Sequence, residues 1–373
     1  MKYMGSKRSM LGNGLGELLA TSINGAERFV DLFAGSGAVA IHIATHFRLP
    51  VLAVDLQQYS AVLAGAIIRR QKSLPADEIW DHWNDRARQV FRRYRPPQLN
   101  KLTRQTVLEF RDWCAGRRTL PLTQAYGGHY YCPVQAVWLD ALRQTVPKDD
   151  PAKTVALAAL VHVASRAAAA PGHTAQPFQP TRTAKPFILD AWNKDVPALT
   201  KSSFASLSGL FALEQGTVNI EDANDAADHL TETDLVFIDP PYSDVHYSRF
   251  YHVLESVANG DPGMVSGVGR YPAFKRRPRS SYSLKTESNK ALSELLSTVA
   301  SKGARAILTF PAGQSSNGLS GDLVRDIASK YFRVCEQRVH SKFSTLGGAS
   351  ADVGNGRAAR QAAQELILSL VPR

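Results

Sequence analysis

The chain runs to 373 residues, more than a typical single domain, so a catalytic core with one sizeable insertion is the natural expectation. Its 44% hydrophobic residues suffice for a proper core, but a net charge of +11 with an isoelectric point near 9.6 points to a polyanionic partner, nucleic acid being the commonest. Three scattered cysteines, Cys114, Cys132 and Cys335, exclude a zinc site and a disulfide framework, so no metal is expected and a reducing cytoplasm fits. Residues 1–11 are basic with no apolar run behind them, which argues against a secretory signal. The apolar stretch 155–170 contains His162, Ser165 and Arg166; it is too short and too polar to span a bilayer and reads as an internal helix.

In chain order, a strand over 29–33 runs into a Gly-rich turn and a helix over 38–47, and a second strand over 51–55 precedes a helix from about 60 to 70. The Gly-rich stretch 12–16 has no strand before it and reads as a flexible turn. The alternation then stops and resumes with strands over 217–220, 235–238, 304–310, 332–339 and 365–370. Seven strands alternating with helices predict an α/β fold with a parallel sheet, its core formed by 1–70 and 204–373.

The interruption, 71–203, is mainly helical and rich in Arg, aromatic residues and Pro. From Arg69 to Lys201 there are 21 Lys/Arg against 11 Asp/Glu, a net of +10, so nearly all the excess charge lies there. That concentration predicts a DNA-reading insertion, with both ends beside the carboxyl edge of the sheet and Arg92, Arg93 and Arg95 as first candidates for phosphate contact. The plainer alternative is a buttress or a dimer contact. Within it, Pro171-Gly172-His173 and Gln176-Pro177-Phe178 are candidates for a loop facing DNA. A second basic stretch, 270–285, reads as a surface loop.

Three places carry chemistry. Asp31-Leu32-Phe33-Ala34-Gly35-Ser36-Gly37 is a strand, turn and helix start whose glycines let backbone approach a ligand. It lacks GxGxxG spacing and a Gly-Lys-Ser/Thr sequence, which disfavours a dinucleotide or ATP. Asp55, ending the second strand, is placed for ribose hydroxyls, and Asp222, in competition with Glu221 and Asp225, for an adenine amino group. The third place is Leu235-Val236-Phe237-Ile238-Asp239-Pro240-Pro241-Tyr242, an apolar strand delivering a carboxylate, two prolines and an aromatic ring at its carboxyl end.

The exocyclic amine of adenine is a poor nucleophile because its lone pair is delocalised into the ring. A carboxylate on Asp239 accepting one N–H and a backbone carbonyl accepting the other restore electron density to nitrogen. Pro240 and Pro241 stiffen the turn that holds those acceptors, and Tyr242 offers a π-face to a base rotated out of its helix.

With those motifs in that order, the chain resembles the Dam-like adenine-specific DNA methyltransferases over about 1–70 and 215–310. Lys2-Tyr3-Met4-Gly5-Ser6-Lys7 is similar to that family's N-terminal cofactor segment, with Tyr3 where Trp is common. The resemblance implies a Rossmann-like seven-stranded sheet with its last strand antiparallel, and S-adenosyl-L-methionine as cofactor. Tyr3, Lys7, Asp31, Phe33, Gly35, Gly37, Asp55 and Asp222 would face that cofactor, and Asp239 to Tyr242 would form the catalytic turn. It further implies double-stranded DNA as substrate, with a cognate restriction or defence partner left open.

A ribosomal RNA adenine enzyme and a cytosine amino enzyme remain the nearest alternatives, the latter more often carrying Ser where Asp239 stands. A non-catalytic DNA-binding relic of the fold has no physical need of Asp239, Tyr242, Gly35 and Gly37. The segment His246-Tyr247-Ser248-Arg249-Phe250-Tyr251-His252 has two readings: a cap on the base pocket or strand backbone, and helix core around Tyr251, Val253 and Leu254.

Overall fold

The computed structural model describes residues 7–344 and 360–373. All seven expected strands form: β1 (Arg28–Asp31), β2 (Val51–Asp55), β3 (Thr217–Ile220), β4 (Asp234–Ile238), then, after the short pair β5 (Val265–Ser266) and β6 (Tyr271–Pro272), β7 (Arg305–Pro311), β8 (Phe332–Ser344) and β9 (Arg360–Pro372). They build one sheet in the order β3-β2-β1-β4-β7-β9-β8. The first five strands of that order pair in parallel, and β9 runs antiparallel to both neighbours. This is the seven-stranded Rossmann-like methyltransferase sheet with its last strand reversed. Its last two strands are longer than expected, pairing from Phe332–Pro372 to Ser344–Arg360. The 270–285 stretch, expected as a loop, contributes β6 and two 3₁₀ turns, Phe274–Arg276 and Ser281–Ser283.

The central strands read as unbroken apolar runs because helices cover both faces. Val51 to Val54 are all buried, as is every residue of β4. Asp234 tolerates this because Arg28 grips it with two charge-assisted hydrogen bonds, Nε to Oδ1 at 2.8 Å and Nη2 to Oδ2 at 2.7 Å. Register aligns Asp31 with Ala53 on one side and Phe237 on the other. Asp55 and Asp239 therefore sit two residues beyond that level, and three carboxylates share the carboxyl edge where strand order reverses.

The helix Gln58–Ile68 is buried from Tyr59 to Ile68 without a solvent face. One side packs on the sheet with Val51, Ala53 and Leu235, and the other is covered by the insertion. A helix that is apolar all round must be covered all round. The insertion supplies the second cover: its helices Ala76–Arg92, Pro133–Gln144, Ala152–Ala167 and Val196–Ser208 join the 58–68 helix in a single apolar cluster. The last of these helices crosses position 203. The expected internal helix is Ala152–Ala167, buried along most of its length.

The ends of the insertion lie opposite to expectation. A helix after a parallel strand runs back along the sheet, so Ile68 ends at the amino edge. There the Ile68 carbonyl accepts from Gly216 N–H at 2.9 Å and Arg70 O from Ala212 N–H at 2.9 Å. Some of the cations counted over 69–201 also work internally. Arg70 donates to the carbonyls of Leu207 and Ser208, Arg143 to those of Val257 and Ala258. Both guanidiniums satisfy carbonyls at helix ends that have no intrahelical partner.

Residues 12–16 form the joint between two short helices, with Gly14 at φ 88° ahead of the helix Leu15–Ser22. Gly37 caps the helix Ala38–His46 in the left-handed region at φ 74°, and a Cβ there would lie 3.0 Å from Ile41 Cδ1 and 3.5 Å from Ala64 Cα. Gly37→Ala should therefore destabilise the fold by about 1–2 kcal/mol, read as a lower urea midpoint at unchanged slope.

Candidate active site

The turn after β1 is held shut by Asp55. Gly35 N–H donates to Asp55 Oδ2 at 2.8 Å, Gln57 N–H to Oδ1 at 2.9 Å, and Ser60 Oγ to the Gly35 carbonyl at 2.5 Å. Gly35 itself sits at φ 51°, where a side chain is strained. Asp55 thus organises the backbone of this turn. Burial pushes its carboxyl above the usual range, against the pull of those hydrogen bonds.

At the end of β4, Asp239 meets a lysine from the start of the chain. Lys7 Nζ lies 3.0 Å from Asp239 Oδ1 and 2.8 Å from Glu365 Oε2, with both Lys7 and Glu365 almost fully buried. Thr309 Oγ1 donates to the same Asp239 Oδ1 at 2.9 Å. The other oxygen, Oδ2, has no hydrogen-bond partner among the described residues, and the side chain keeps 16% exposure. Burial raises the Asp239 carboxyl to about 6; Lys7 opposes the rise and Glu365 adds to it. Burial alone would depress Lys7, but Asp239 and Glu365 outweigh it and hold the ammonium charged. Asp31, also buried, is pushed to about 8 by burial, with Asp239 and Asp55 adding repulsion.

These groups open on one cleft of about 940 Å³, open solvent at its mouth included, walled by Phe33 to Ser36, Asp55 to Gln57, Glu221 to Ala223, Asp239 to Tyr242, His246 to Ser248, and Pro278, Ser280 and Ser283. The structure brings together Lys7, Asp31, Phe33, Gly35, Asp55, Asp222, Asp239, Pro240, Pro241 and Tyr242. Gly37 is not on the wall; it acts from behind, as the left-handed cap described above. Tyr3 lies outside the described residues. Asp222 caps the helix Ala223–Ala227 through Asn224 N–H, and its neighbour Glu221 also reaches the wall. Tyr242 is partly buried against the apolar layer beneath the cleft, where burial raises its phenol.

Several site residues escaped the sequence reading. Glu365 opens what reads as an ordinary apolar strand, and its only signal was a lone acid before Leu366-Ile367-Leu368. Asn317 is fully buried and donates to the carbonyls of Pro241, at 2.8 Å, and Tyr282, at 3.0 Å, clasping the turn after β4. Tyr282 meets Phe33 edge-on, with ring centroids 5.0 Å apart at 84°. Both readings of 246–252 hold in part. His246, Tyr247 and Ser248 line the cleft, whereas Tyr251, Val253 and Leu254 are core. Glu255, on the helix His252–Asn259, accepts from Gln58 and Tyr59 N–H, each at 3.0 Å, tying this segment to the 58–68 helix.

Residues 3–107 match the model of the D12 class N6 adenine-specific DNA methyltransferases. Over that stretch the chain is similar to this class. The match bears out the Dam-like resemblance; it takes in Lys7, the Asp31–Gly37 turn and Asp55, and stops short of Asp239. No curated protein matches the chain.

Replacing Lys7 by Met leaves Asp239 and Glu365 buried without a cation, which should cost about 3–5 kcal/mol. Without the lysine the Asp239 carboxyl rises further above about 6, so the folded variant takes up a proton at a higher pH than the unsubstituted protein does. The loss should be larger at pH 8 and shrink as pH falls toward about 6, because the variant's Asp239 protonates first. Denaturant melts of both proteins at pH 5.5 and 8 measure it.

Proposed function

We propose that the chain is a site-specific DNA adenine methyltransferase that carries a methyl group from S-adenosyl-L-methionine to the exocyclic 6-amino group of a flipped adenine. The observation that carries this reading is Asp239: a carboxylate at the end of a buried strand, pinned through one oxygen by Lys7 and Thr309, with the other turned to the cleft that holds the Asp31–Gly37 turn. The similarity over 3–107 supports a DNA adenine substrate. The resemblance alone supports a restriction–modification or defence setting, and the scattered cysteines support a reducing, cytoplasmic location. Among the described residues no helix is long and apolar enough to cross a membrane.

The donor set fits the cofactor. Lys7 is the one Lys or Arg among the described residues lining the cleft, and two carboxylates already hold it. Asp31, Asp55 and Asp222 leave the wall rich in acids, which disfavours a phosphate-bearing ligand and favours a cation. S-adenosyl-L-methionine, when bound, supplies an electrophilic methyl on a sulfonium centre. Asp31 and Lys7 would lie toward its amino acid part, Asp55 toward ribose hydroxyls, and Asp222 toward the adenine amino group. Phe33, braced edge-on by Tyr282, would pack on its adenine ring.

For the substrate, Asp239 Oδ2 accepts one N–H of the amine and the Pro240 carbonyl accepts the other, so the nitrogen lone pair is drawn out of conjugation. The Pro241 carbonyl is already taken by Asn317, which fixes the turn's geometry without competing for the base. Tyr242 stacks on the flipped ring.

Asp239→Ala should lower turnover on plasmid DNA on the order of 10²-fold or more while S-adenosyl-L-methionine binding, followed by calorimetry, survives. The acceptor role requires the ionised carboxylate. In the unsubstituted protein turnover should therefore fall as pH drops below about 6. An Asp239→Ala protein with near-normal turnover would sink the assignment.

A cationic ligand beside Asp31 favours its ionised form. Since burial holds that carboxyl near 8, binding at pH 7 should release protons. Affinity should accordingly rise between pH 6 and pH 8, and calorimetry at pH 7 in buffers of different ionisation enthalpy should show the release. Asp31→Asn should abolish it.

A further inference from the structure

A ribbon rich in Lys and Arg follows the 239–259 segment and reaches the cleft at Pro278, Ser280 and Ser283, outside the similarity over 3–107. Between positions 261 and 285 there are six Lys/Arg and one Asp, Asp261, which pairs with Arg276 at 3.1 Å. Its root is fixed on the insertion: Arg270 Nε donates to the Ala125 carbonyl at 2.8 Å, Tyr130 OH to Gly269 O at 2.9 Å, and Tyr271 OH to Ala175 O at 2.6 Å. Its far end is fixed on the site, where Ser280 N–H donates to His246 Nδ1 at 3.3 Å and Pro278 and Ser280 line the cleft.

Between these anchors the side chains turn outward. Lys275 and Arg279 are exposed, and Phe274 is 58% exposed with the Arg279 guanidinium 5.2 Å from its ring centre. Met264 and Val268 are more exposed still. An aromatic ring and cations are thus held together in water on a segment anchored at both ends. A base stack edged with phosphates is complementary to that arrangement. No described residue of 71–203 lines the cleft, so the insertion's charge does not reach the mouth through the wall.

We propose that this ribbon is the surface on which duplex DNA lies while one base occupies the cleft. Lys275 and Arg279 neutralise phosphates beside the extruded nucleotide, and the Phe274 ring stacks against the bases next to the gap. The proposal rests on the DNA reading above and adds to it the element that engages the duplex.

The test uses the full chain, a fluorescent mixed-sequence DNA duplex titrated across a salt series, and plasmid methylation. For the Lys275→Ala/Arg279→Ala protein, the slope of log affinity against log salt should shrink by about 1.8, roughly 0.9 for each phosphate no longer neutralised. Lys290→Ala/Lys330→Ala, which removes equal charge elsewhere on the surface, should keep the slope. Phe274→Ala should lower kcat/KM on plasmid on the order of tenfold, and Phe274→Trp should restore it. Cofactor affinity by calorimetry should stay constant throughout. An unaltered slope in Lys275→Ala/Arg279→Ala, or an equal loss in the surface control, overturns the ribbon's role, as does full activity in Phe274→Ala. If the unsubstituted protein neither binds the duplex nor methylates plasmid, the DNA reading falls and takes the ribbon's role with it.

Discussion

The buried ammonium of Lys7 ties together the beginning, middle and end of the chain. It contacts Asp239 on β4 and Glu365 on β9, a residue 358 positions away. An uncompensated carboxylate in that place would either protonate or unfold its surroundings. With the lysine present, Asp239 is held near 6, low enough to be charged at neutral pH and high enough to remain a strong acceptor. Glu365 matters in the same balance. By sharing the lysine it keeps Lys7 from neutralising Asp239 fully, and its own charge lifts the Asp239 carboxyl. The last strand of the sheet therefore closes the fold and also tunes the group at the centre of the site.

Much of the core was legible because parallel strands covered on both faces must be nearly continuous apolar runs. All seven strands could be placed from that signal, and the three carboxylates at their ends followed from where the runs stop. Asp31 and Asp55 were visible as acids closing such runs, and Asp239 by the prolines behind it. Glu365 was not, since it sits within a long antiparallel strand, level with the end of β7. Which strand end faces the cleft depends on direction, and direction is a property of the assembled sheet. Asn317 and Tyr282 were hidden for a related reason. Each acts by a hydrogen bond or ring contact to a turn far away in sequence, and neither belongs to a local pattern.

The insertion shows what charge counting misses. A net of +10 over 69–201 suggested a binding surface, but a count does not distinguish a cation facing solvent from one satisfying a carbonyl. Arg70 and Arg143 spend their donors inside the protein. The apolar residues of the same segment had the more telling role. They cover the outer face of the 58–68 helix, whose sequence Gln-Tyr-Ser-Ala-Val-Leu-Ala-Gly-Ala-Ile-Ile has no polar face to offer water. That helix alone required a second layer, and the insertion is where the chain supplies it.

The same layer also positions the site. Glu255 caps the amino end of the 58–68 helix with both carboxylate oxygens, and its own helix begins just past the segment His246 to Ser248 on the cleft wall. Two backbone N–H groups at a helix start stabilise a carboxylate there. The cap therefore sets the distance between the turn after β2, where Asp55 holds Gly35, and the wall that follows Asp239. The ribbon is anchored to the insertion by Arg270 and to that wall by Ser280. The insertion thus touches the ribbon that reaches the cleft, although it contributes no described residue to the lining. The packing of the insertion on the 58–68 helix is therefore linked to the cleft wall by Glu255 and Arg270, neither of which touches the three carboxylates at the strand ends.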